Sequence, residues 1–160
     1  MLLEFAYVAF LFSALLALAA PIGRYIARVF SGEKTLLSPL IRPIERGLYR
    51  IAGVDEDREM SWKTYASALL FFNILGIAAV FLLQELQSVL PLNPQGLGPV
   101  RWDTALNTAV SFTTNTNWQS YSGEQMLTYL TQMLGLTVQN FLSTAVGLAA
   151  AMAFIRGFTR

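Results

Sequence analysis

The segment "SFTTNTNWQSYSGE", Ser111 to Glu124, is polar in a chain that is otherwise strongly apolar. From Thr113 to Ser122 nearly every residue is Thr, Asn, Gln or Ser, and long apolar segments lie on both sides. An unpaired amide or hydroxyl buried in an apolar medium costs roughly 2–7 kcal/mol. The polar segment therefore either faces water in an outer loop or lines a polar site inside a membrane.

The apolar residues are gathered in blocks of the length that a bilayer requires. The chain has 160 residues, of which 54% are hydrophobic and 13% charged. A helix needs about 20 apolar residues to cross a bilayer, and segments 2–23, 65–83 and 126–155 meet that length. A fourth helical segment, residues 102–112, covers only about 16 Å and is too short to cross. The predicted fold is an all-α membrane protein.

The basic residues predict how the helices are oriented. Eight of the 11 Lys and Arg residues lie between the first and second predicted helices, and two follow the third. The positive-inside rule then places residues 24–64 and the C-terminal end in the cytoplasm. The N-terminus and residues 84–125 are expected outside. A signal peptide ending at Ala17–Ala20 is the alternative for the first segment, but residues 1–4 lack the basic residue that a signal peptide needs.

The predicted cytoplasmic loop, residues 24–64, is amphipathic and mixed in charge. Its sequence predicts a short interfacial helix that begins after Pro43 and ends near Gly53. Arg46 and Arg50 are four residues apart and share one face of that helix. The helix either lies on the lipid surface or binds a cytoplasmic partner.

The order of the elements requires a chain that enters the membrane and turns back. Residues 84–101 are rich in Pro and Gly and predict an ordered turn, which leads to Asp103 near a helix N-terminus. Because the spanning helices on either side cross in opposite senses, residues 102–122 must enter from the outside and return there. Irregular backbone at membrane depth is tolerated only inside protein or along a cavity. Residues 113–119 are therefore predicted to line a polar site.

The residue types of this site favour a monovalent cation. No charge lies between Ser111 and Tyr121, so the ligands are neutral oxygens, which replace the water shell of such an ion without holding it too tightly. The C-terminal, negative end of the short helix also points at the site. Asn115 and Asn117 tolerate left-handed backbone angles that Thr does not. The candidate ion-binding residues are Thr113, Thr114, Asn115, Thr116, Asn117 and Gln119.

Several neighbouring residues are predicted to support the site. The third spanning segment carries polar residues at spacings of three and four, and such residues usually face a bundle interior or a cavity. Ordinary helix packing would use some of them as well. The predicted supporting residues are Ser111, Trp118, Gln132, Gln139 and Asn140.

The sequence lacks the residues that several classes of chemistry require. Cysteine and histidine are absent, which removes thiol catalysis, disulfides, imidazole bases and Cys/His metal sites. The sequence has no phosphate-binding loop, so the chain by itself is not expected to hydrolyse ATP or to need a cofactor. The net charge of +1 gives no reason to expect a nucleic-acid partner.

Long segments of the sequence resemble the KdpA family, the channel-like potassium-binding subunits of the bacterial KdpFABC pump. The resemblance covers essentially the whole chain and is carried by specific motifs. They are "PIGRYIARVFSGE" (21–33), "YRIAGVDEDREMSWKTYA" (49–66), "LPLNPQ" (90–95), "NTAVSFTTNTNWQSYSGE" (107–124), "QMLGLTVQNF" (132–141) and "IRGF" (155–158).

The resemblance implies a fold of the potassium-channel-like superfamily. Residues 1–23 would be an extra transmembrane helix, 24–64 the cytoplasmic loop and 65–160 the first M1–pore helix–filter–M2 repeat. Within that repeat, M1 would be 65–83, the outer loop 84–101, the pore helix 102–112, the filter 113–119 and M2 126–155.

The resemblance also implies a function in potassium import across the bacterial inner membrane. Potassium, as the transported substrate, would bind at Asn115, Thr116 and Asn117, and in the family the position of Gln119 affects potassium affinity. ATP hydrolysis would belong to the partner KdpB, with KdpC and KdpF as further subunits.

One departure from the family bears on assembly. Family members carry four repeats in one chain, whereas this sequence has one pore-helix and filter unit. We therefore expect a fragment of a longer subunit. The alternatives are a homotetrameric cation channel and a membrane scaffold whose cytoplasmic loop binds partners.

Overall fold

The computed structural model describes the backbone of residues 2–55 and 58–159 and the side chains of residues 3–55 and 58–158. Met1, Glu56, Asp57 and Arg160, which belong to the predicted segments 1–23, 24–64 and 65–160, lie outside these ranges. The regular secondary structure of the described residues is entirely helical. The chain divides into two compact units, one ending at Glu59 and one beginning at Met60.

Three helices are long and apolar enough to cross a membrane. They are Leu3–Phe30, Trp62–Glu85 and Thr131–Phe158. Each contains one of the segments predicted to span, or most of it, so the prediction of an all-α membrane protein with three spanning helices is confirmed.

In the first unit, helix α1 (Leu2–Phe30) continues beyond its predicted end at Gly23. Its 29 residues cover about 44 Å, well beyond a hydrocarbon core of about 30 Å. The helix stops where Gly32 adopts a left-handed φ of 73°, and Glu33 N–H donates to the Arg28 carbonyl at 3.0 Å. A left-handed glycine is a common helix terminator, and Gly23 does not adopt that conformation.

Helix α2 (Ser38–Ala52) begins earlier than predicted and ends where predicted. Pro39 lies in the first turn, where its missing N–H is not needed, so the helix starts before Pro43 and includes it. At the other end Gly53 has φ 65° and donates to the Tyr49 carbonyl. No described side chain of α2 is buried.

The second unit packs a long helix against a half-length one. Helix α3 (Trp62–Glu85) begins at its cap, where Ser61 Oγ accepts from Thr64 N–H at 3.2 Å. Helix α4 (Trp102–Thr113) matches the predicted pore helix to within one residue and covers about 18 Å. The apolar core lies between α3, α4 and the start of the last helix. Its buried members are Val80, Val100, Ala105, Ala109, Phe112, Leu127 and Leu136.

The third spanning segment is not one continuous helix from Met126. A short helix α5 (Gly123–Met126) is followed by extended backbone at Leu127, and then by a π-helical segment, Thr131–Thr137, that continues into α6 (Val138–Thr159). The break has a local cause, because Thr128 Oγ1 accepts from Thr131 N–H at 3.2 Å and caps the new helix.

Candidate ion-binding site

Ser111, near the end of α4, organises the polar segment. Its side chain is 3% exposed, and its carbonyl accepts the backbone N–H groups of Thr116 at 2.9 Å and Asn117 at 3.3 Å. Its hydroxyl donates to the Trp118 carbonyl at 3.0 Å and lies 3.1 Å from Thr116 Oγ1. The segment therefore folds back onto the end of the half-length helix.

These hydrogen bonds fix the direction of three consecutive carbonyls. The N–H groups of Asn115, Thr116 and Asn117 all donate to carbonyls at the end of α4, and the described chain has no cis peptide. In a trans peptide the carbonyl points opposite to the N–H of the next residue. The carbonyls of Thr114, Asn115 and Thr116 therefore point away from α4. We call these three oxygens the carbonyl row, and no donor in the described ranges reaches them.

The carbonyl row depends on two asparagines with left-handed backbone. Asn115 has φ 60° and Asn117 has φ 56°, and the only other non-glycine residue with positive φ in the described ranges is Leu92. The sequence analysis expected asparagine to supply this freedom, and the backbone uses it at both positions. A β-branched residue at either position would be strained.

The end of α4 contributes differently from the prediction. Its C-terminal carbonyls are predicted to point at the ion, but those of Ser111 and Phe112 are occupied by N–H groups of the segment, and among them only the Thr113 carbonyl has no donor in the described ranges. The negative end of the helix dipole remains beside the segment. Any direct oxygen ligands therefore come from the segment itself. Trp118 is 55% exposed and lines an open groove of about 480 Å³ along α4 together with Ser111, Thr114 and Thr116.

At the inner end of the segment, two buried oxygens lack a partner among the described residues. Thr113 is the last residue of α4 and is 3% exposed, and neither its Oγ1 nor the Oδ1 of Asn140 has a hydrogen bond. Ser143 Oγ links this region to the segment, since it is within 3.4 Å of Asn115 Oδ1 and 3.3 Å of the Asn140 carbonyl. Thr114 Oγ1 donates back to the Val110 carbonyl at 2.9 Å.

At the other end of the segment, Gln119 is exposed and belongs to a short polar chain. Its Nε2 donates to the Tyr121 hydroxyl at 3.3 Å, and that hydroxyl lies 2.9 Å from Thr108 Oγ1 on α4. Thr108 is buried, so this chain ties the exit of the segment to the half-length helix.

Two of the predicted supporting residues, Gln132 and Gln139, make their described contacts away from residues 113–119, although Gln132 Nε2 also donates to the Gly123 carbonyl at 3.4 Å. Gln132 Nε2 donates to the Leu127 carbonyl at 3.0 Å and stabilises the turn before the last helix. Gln139 is 4% exposed and packs against Gly76 of α3, where an added Cβ would lie 2.9 Å from its Oε1. The residue of α6 that reaches the segment is Ser143, one helical turn beyond Gln139.

Two buried glutamines that were not predicted as site residues hold the half-length helix and the loop before it in place. Gln84 is fully buried, and its Nε2 donates to the Val80 and Ala105 carbonyls at 3.0 Å each. Gln87 is 1% exposed and joins three segments of chain. Its Nε2 donates to the carbonyls of Gly98 at 2.7 Å and Met126 at 2.9 Å, and its Oε1 accepts from Thr128 N–H at 3.2 Å. The sequence feature that could have revealed them is a pair of glutamines, Gln84 and Gln87, at the end of an otherwise apolar helix.

Two carboxylates near the site are stabilised in their charged form. Arg101 donates two hydrogen bonds to Asp103, at 2.8 and 2.6 Å, and this lowers the pKa of that carboxyl. The Ser122 hydroxyl donates to Glu124 at 2.7 Å and lowers its pKa as well. Asp103 lies in the first turn of α4, as predicted, where a negative charge complements the helix dipole.

The fold and this site define a class: an all-helical membrane protein in which a half-length helix and a neutral polar segment lie between two spanning helices. A family model described as KdpA, the potassium-transporting ATPase A subunit, matches residues 9–160. The chain belongs to the KdpA family.

Curated relatives agree with this assignment. A potassium-transporting ATPase potassium-binding subunit of Rhodospirillum centenum is 61% identical over 151 residues, which are 94% of this chain and 26% of the relative. Proteins of the same name from Methylorubrum extorquens strain PA1 and Geobacter sulfurreducens are 57% identical over 148 residues and 55% identical over 150. Those matches cover 92% and 94% of this chain, and 26% and 25% of the relatives. The chain thus spans about a quarter of the length of these relatives.

Proposed function

We propose that the polar segment binds potassium on the extracytoplasmic side and passes it into the membrane, as part of the potassium-binding subunit of an ATP-driven importer. The observation that carries this proposal is the carbonyl row. Carbonyl oxygens can replace the hydration shell of a potassium ion while still letting it leave. A divalent ion would usually want carboxylates, and the segment between Ser111 and Tyr121 has none.

The proposed ligands are more specific than the sequence alone allowed. The carbonyls of Thr114, Asn115 and Thr116 are the primary ligands, and Thr113 Oγ1 is an additional oxygen at the inner end. Asn117 acts through its left-handed backbone rather than as a direct ligand. Gln119 influences affinity at the outer end through its contact with Tyr121.

One such segment supplies only part of a coordination shell. A ring of carbonyls around the ion needs several contributing strands. We propose that the remaining contributions come from further repeats of the same kind. We also propose that KdpB, KdpC and KdpF are the partner subunits and that KdpB hydrolyses ATP. In this proposal the protein is in the bacterial inner membrane, with residues 24–64 in the cytoplasm and residues 84–125 outside.

The test is to purify the tagged chain from membranes of its host and to read the assembly by native mass spectrometry. We expect the chain to be bound to the other pump subunits, in an assembly whose ATP hydrolysis is stimulated by potassium. A homotetramer free of other subunits would instead support a self-assembling channel.

A matched pair of variants then tests the site within that assembly. Asn115→Gly keeps the left-handed backbone, so the potassium concentration for half-maximal stimulation should change less than about threefold. Asn115→Val cannot adopt that backbone without strain, and the concentration should rise about 5- to 30-fold, since about 1–2 kcal/mol of strain corresponds to that range. Equal effects of both substitutions would argue for the side chain as the ligand and against the carbonyl row.

A further inference from the structure

Helix α2 separates its side chains into two opposite faces. Arg42, Arg46 and Arg50 recur at every fourth residue and form a basic face. The apolar face opposite them is exposed along its whole length. Its members and their exposed fractions are Leu40 70%, Ile44 62%, Leu48 60% and Ile51 85%.

The basic face has no acidic partner within the described ranges. Arg42, Arg46 and Arg50 make no ion pair there. The one acidic residue of the helix, Glu45, accepts a hydrogen bond from the Tyr49 hydroxyl at 2.8 Å. Three arginines on one helix face that make no ion pair with the described residues are suited to an anionic partner.

A groove beside this face gives the anion a place to lie. It has a volume of about 410 Å³, and its lining residues are Lys34, Thr35, Ser38, Pro39, Arg42, Pro43 and Arg46. The hydroxyl oxygens of Thr35 and Ser38 are 3.0 Å apart. Cationic and hydroxyl donors together are the usual ligands of a phosphate group.

The position of α2 in the chain identifies the source of that phosphate. The helix lies in the connection between two membrane-spanning helices and is separated from α1 by seven residues, so it is held near a bilayer surface. A helix with one basic and one apolar face lies in the plane of such a surface, with its apolar face among the acyl chains. Basic clusters next to a spanning helix attract anionic lipids.

We propose that α2 is an anionic-phospholipid binding site, with its apolar face in the bilayer and with Lys34, Arg42 and Arg46 on the lipid phosphate. This site is separate from the polar segment at residues 113–119 and does not depend on potassium binding. Of the two predicted roles of this helix, the charge and exposure of its faces favour the lipid surface over a protein partner.

The first test measures lipid binding to the full chain by native mass spectrometry with phosphatidylglycerol or phosphatidylcholine added. We expect a preference for phosphatidylglycerol. The double variant Arg42→Gln/Arg46→Gln should weaken phosphatidylglycerol binding by roughly thirtyfold, the loss expected for two basic side chains at an anionic surface. The matched variant Arg42→Lys/Arg46→Lys keeps the charge and should retain most of the preference.

A second measurement locates the helix in the bilayer. Because the chain has no cysteine, Ile44→Cys provides a single site for an environment-sensitive fluorophore. In nanodiscs that contain phosphatidylglycerol the label should report an apolar environment, and the glutamine double variant should shift it toward water. This shift should weaken as salt is added.

Three results would overturn the proposal. They are an unmodified chain that binds both lipids equally, a glutamine double variant that keeps the preference, and a label at residue 44 that stays in water while α2 binds a protein subunit through its arginines.

Discussion

The two compact units of this chain differ in how much they bury. In the unit that ends at Glu59, no described side chain is buried, and apolar residues such as Phe10 and Leu16 are more than 70% exposed. In the unit that begins at Met60, the described buried residues include nine polar and seven hydrophobic ones. Lipid is as apolar as leucine, so burying leucine gains little there, whereas amides and hydroxyls need hydrogen bonds that lipid cannot supply.

The difference between the two units shows which residues mark the packed interior of such a protein. Apolar content identifies the segments that meet lipid, and both units have them. Buried polar residues identify the packed region, and only the second unit has them in the described ranges. The candidate site lies in that second unit.

The largest expected effect comes from removing the amide that joins three segments of the second unit. Gln87→Leu would leave the Gly98 and Met126 carbonyls and Thr128 N–H without their partner. Each unsatisfied buried group costs about 1–3 kcal/mol, so we expect a loss of about 3 kcal/mol or more in the free energy of unfolding. The measurement is a reversible unfolding titration with sodium dodecyl sulfate.

The control for Gln87→Leu lies in the first unit. Ser13→Leu on α1 also replaces a polar residue by leucine, but at an exposed position, and should change stability by less than about 0.5 kcal/mol. Equal losses in the two variants would remove the distinction between the units.

The next largest loss of stability tests whether the site depends on the left-handed backbone of Asn117. Asn117→Val places a β-branched residue at a φ of 56° and should cost about 1–2 kcal/mol. Asn117→Gly adopts this angle freely and should lower the free energy of unfolding by only about a few tenths of a kcal/mol. The same unfolding titration compares the two, and a glycine variant as unstable as the valine variant would contradict the backbone role.

A smaller effect tests how closely α3 and α6 pack. In Gly76→Ala the new Cβ would lie 2.9 Å from Gln139 Oε1, so the buried glutamine must move, at a cost of about 1 kcal/mol. Gly147 on α6 has no neighbour within 4 Å of an added Cβ, and Gly147→Ala should be neutral or slightly stabilising. Thermal unfolding of the two variants measures the difference, and a destabilised Gly147→Ala would argue against the described packing.

The smallest effect is a pH dependence at the start of α4. The pKa of Asp103 is lowered in the folded chain, chiefly by its hydrogen bonds from Arg101. Its contribution to stability is therefore present above the unfolded pKa of 3.8 and is lost as pH falls through the lower folded pKa. The carboxyl is exposed, so the effect is small. Asp103→Asn should reduce the loss of stability between pH 5 and pH 2, and an unchanged acid profile would show that this carboxyl does not contribute.

Features that follow from local chemistry were predictable from the sequence. The half-length helix followed from its length, and the left-handed asparagines from the known tolerance of that residue. The end of α2 followed from Gly53. Each of these depends on a few neighbouring residues.

Features that depend on contacts between distant residues were not predictable. The pattern on the last helix indicated that Gln139 is buried, but not that it faces Gly76 instead of the polar segment. Thr128 caps the helix after the break through a local contact, but its N–H also donates to Gln87, 41 residues away, and that contact was not predictable. The direction of the carbonyl row depends on hydrogen bonds to Ser111, and no property of the residue types reveals it.

In the proposed function, the backbone carbonyls of Thr114, Asn115 and Thr116 are the ligands of potassium. Infrared spectroscopy of the assembled protein with an isotope-labelled carbonyl at Asn115 or Thr116 tests this assignment directly, with a label at Trp118 as the control because Ser111 already holds that carbonyl. We predict that exchanging sodium for potassium shifts the Asn115 and Thr116 bands and leaves the Trp118 band unchanged. Asn115 and Thr116 bands that are identical in both salts would contradict the account.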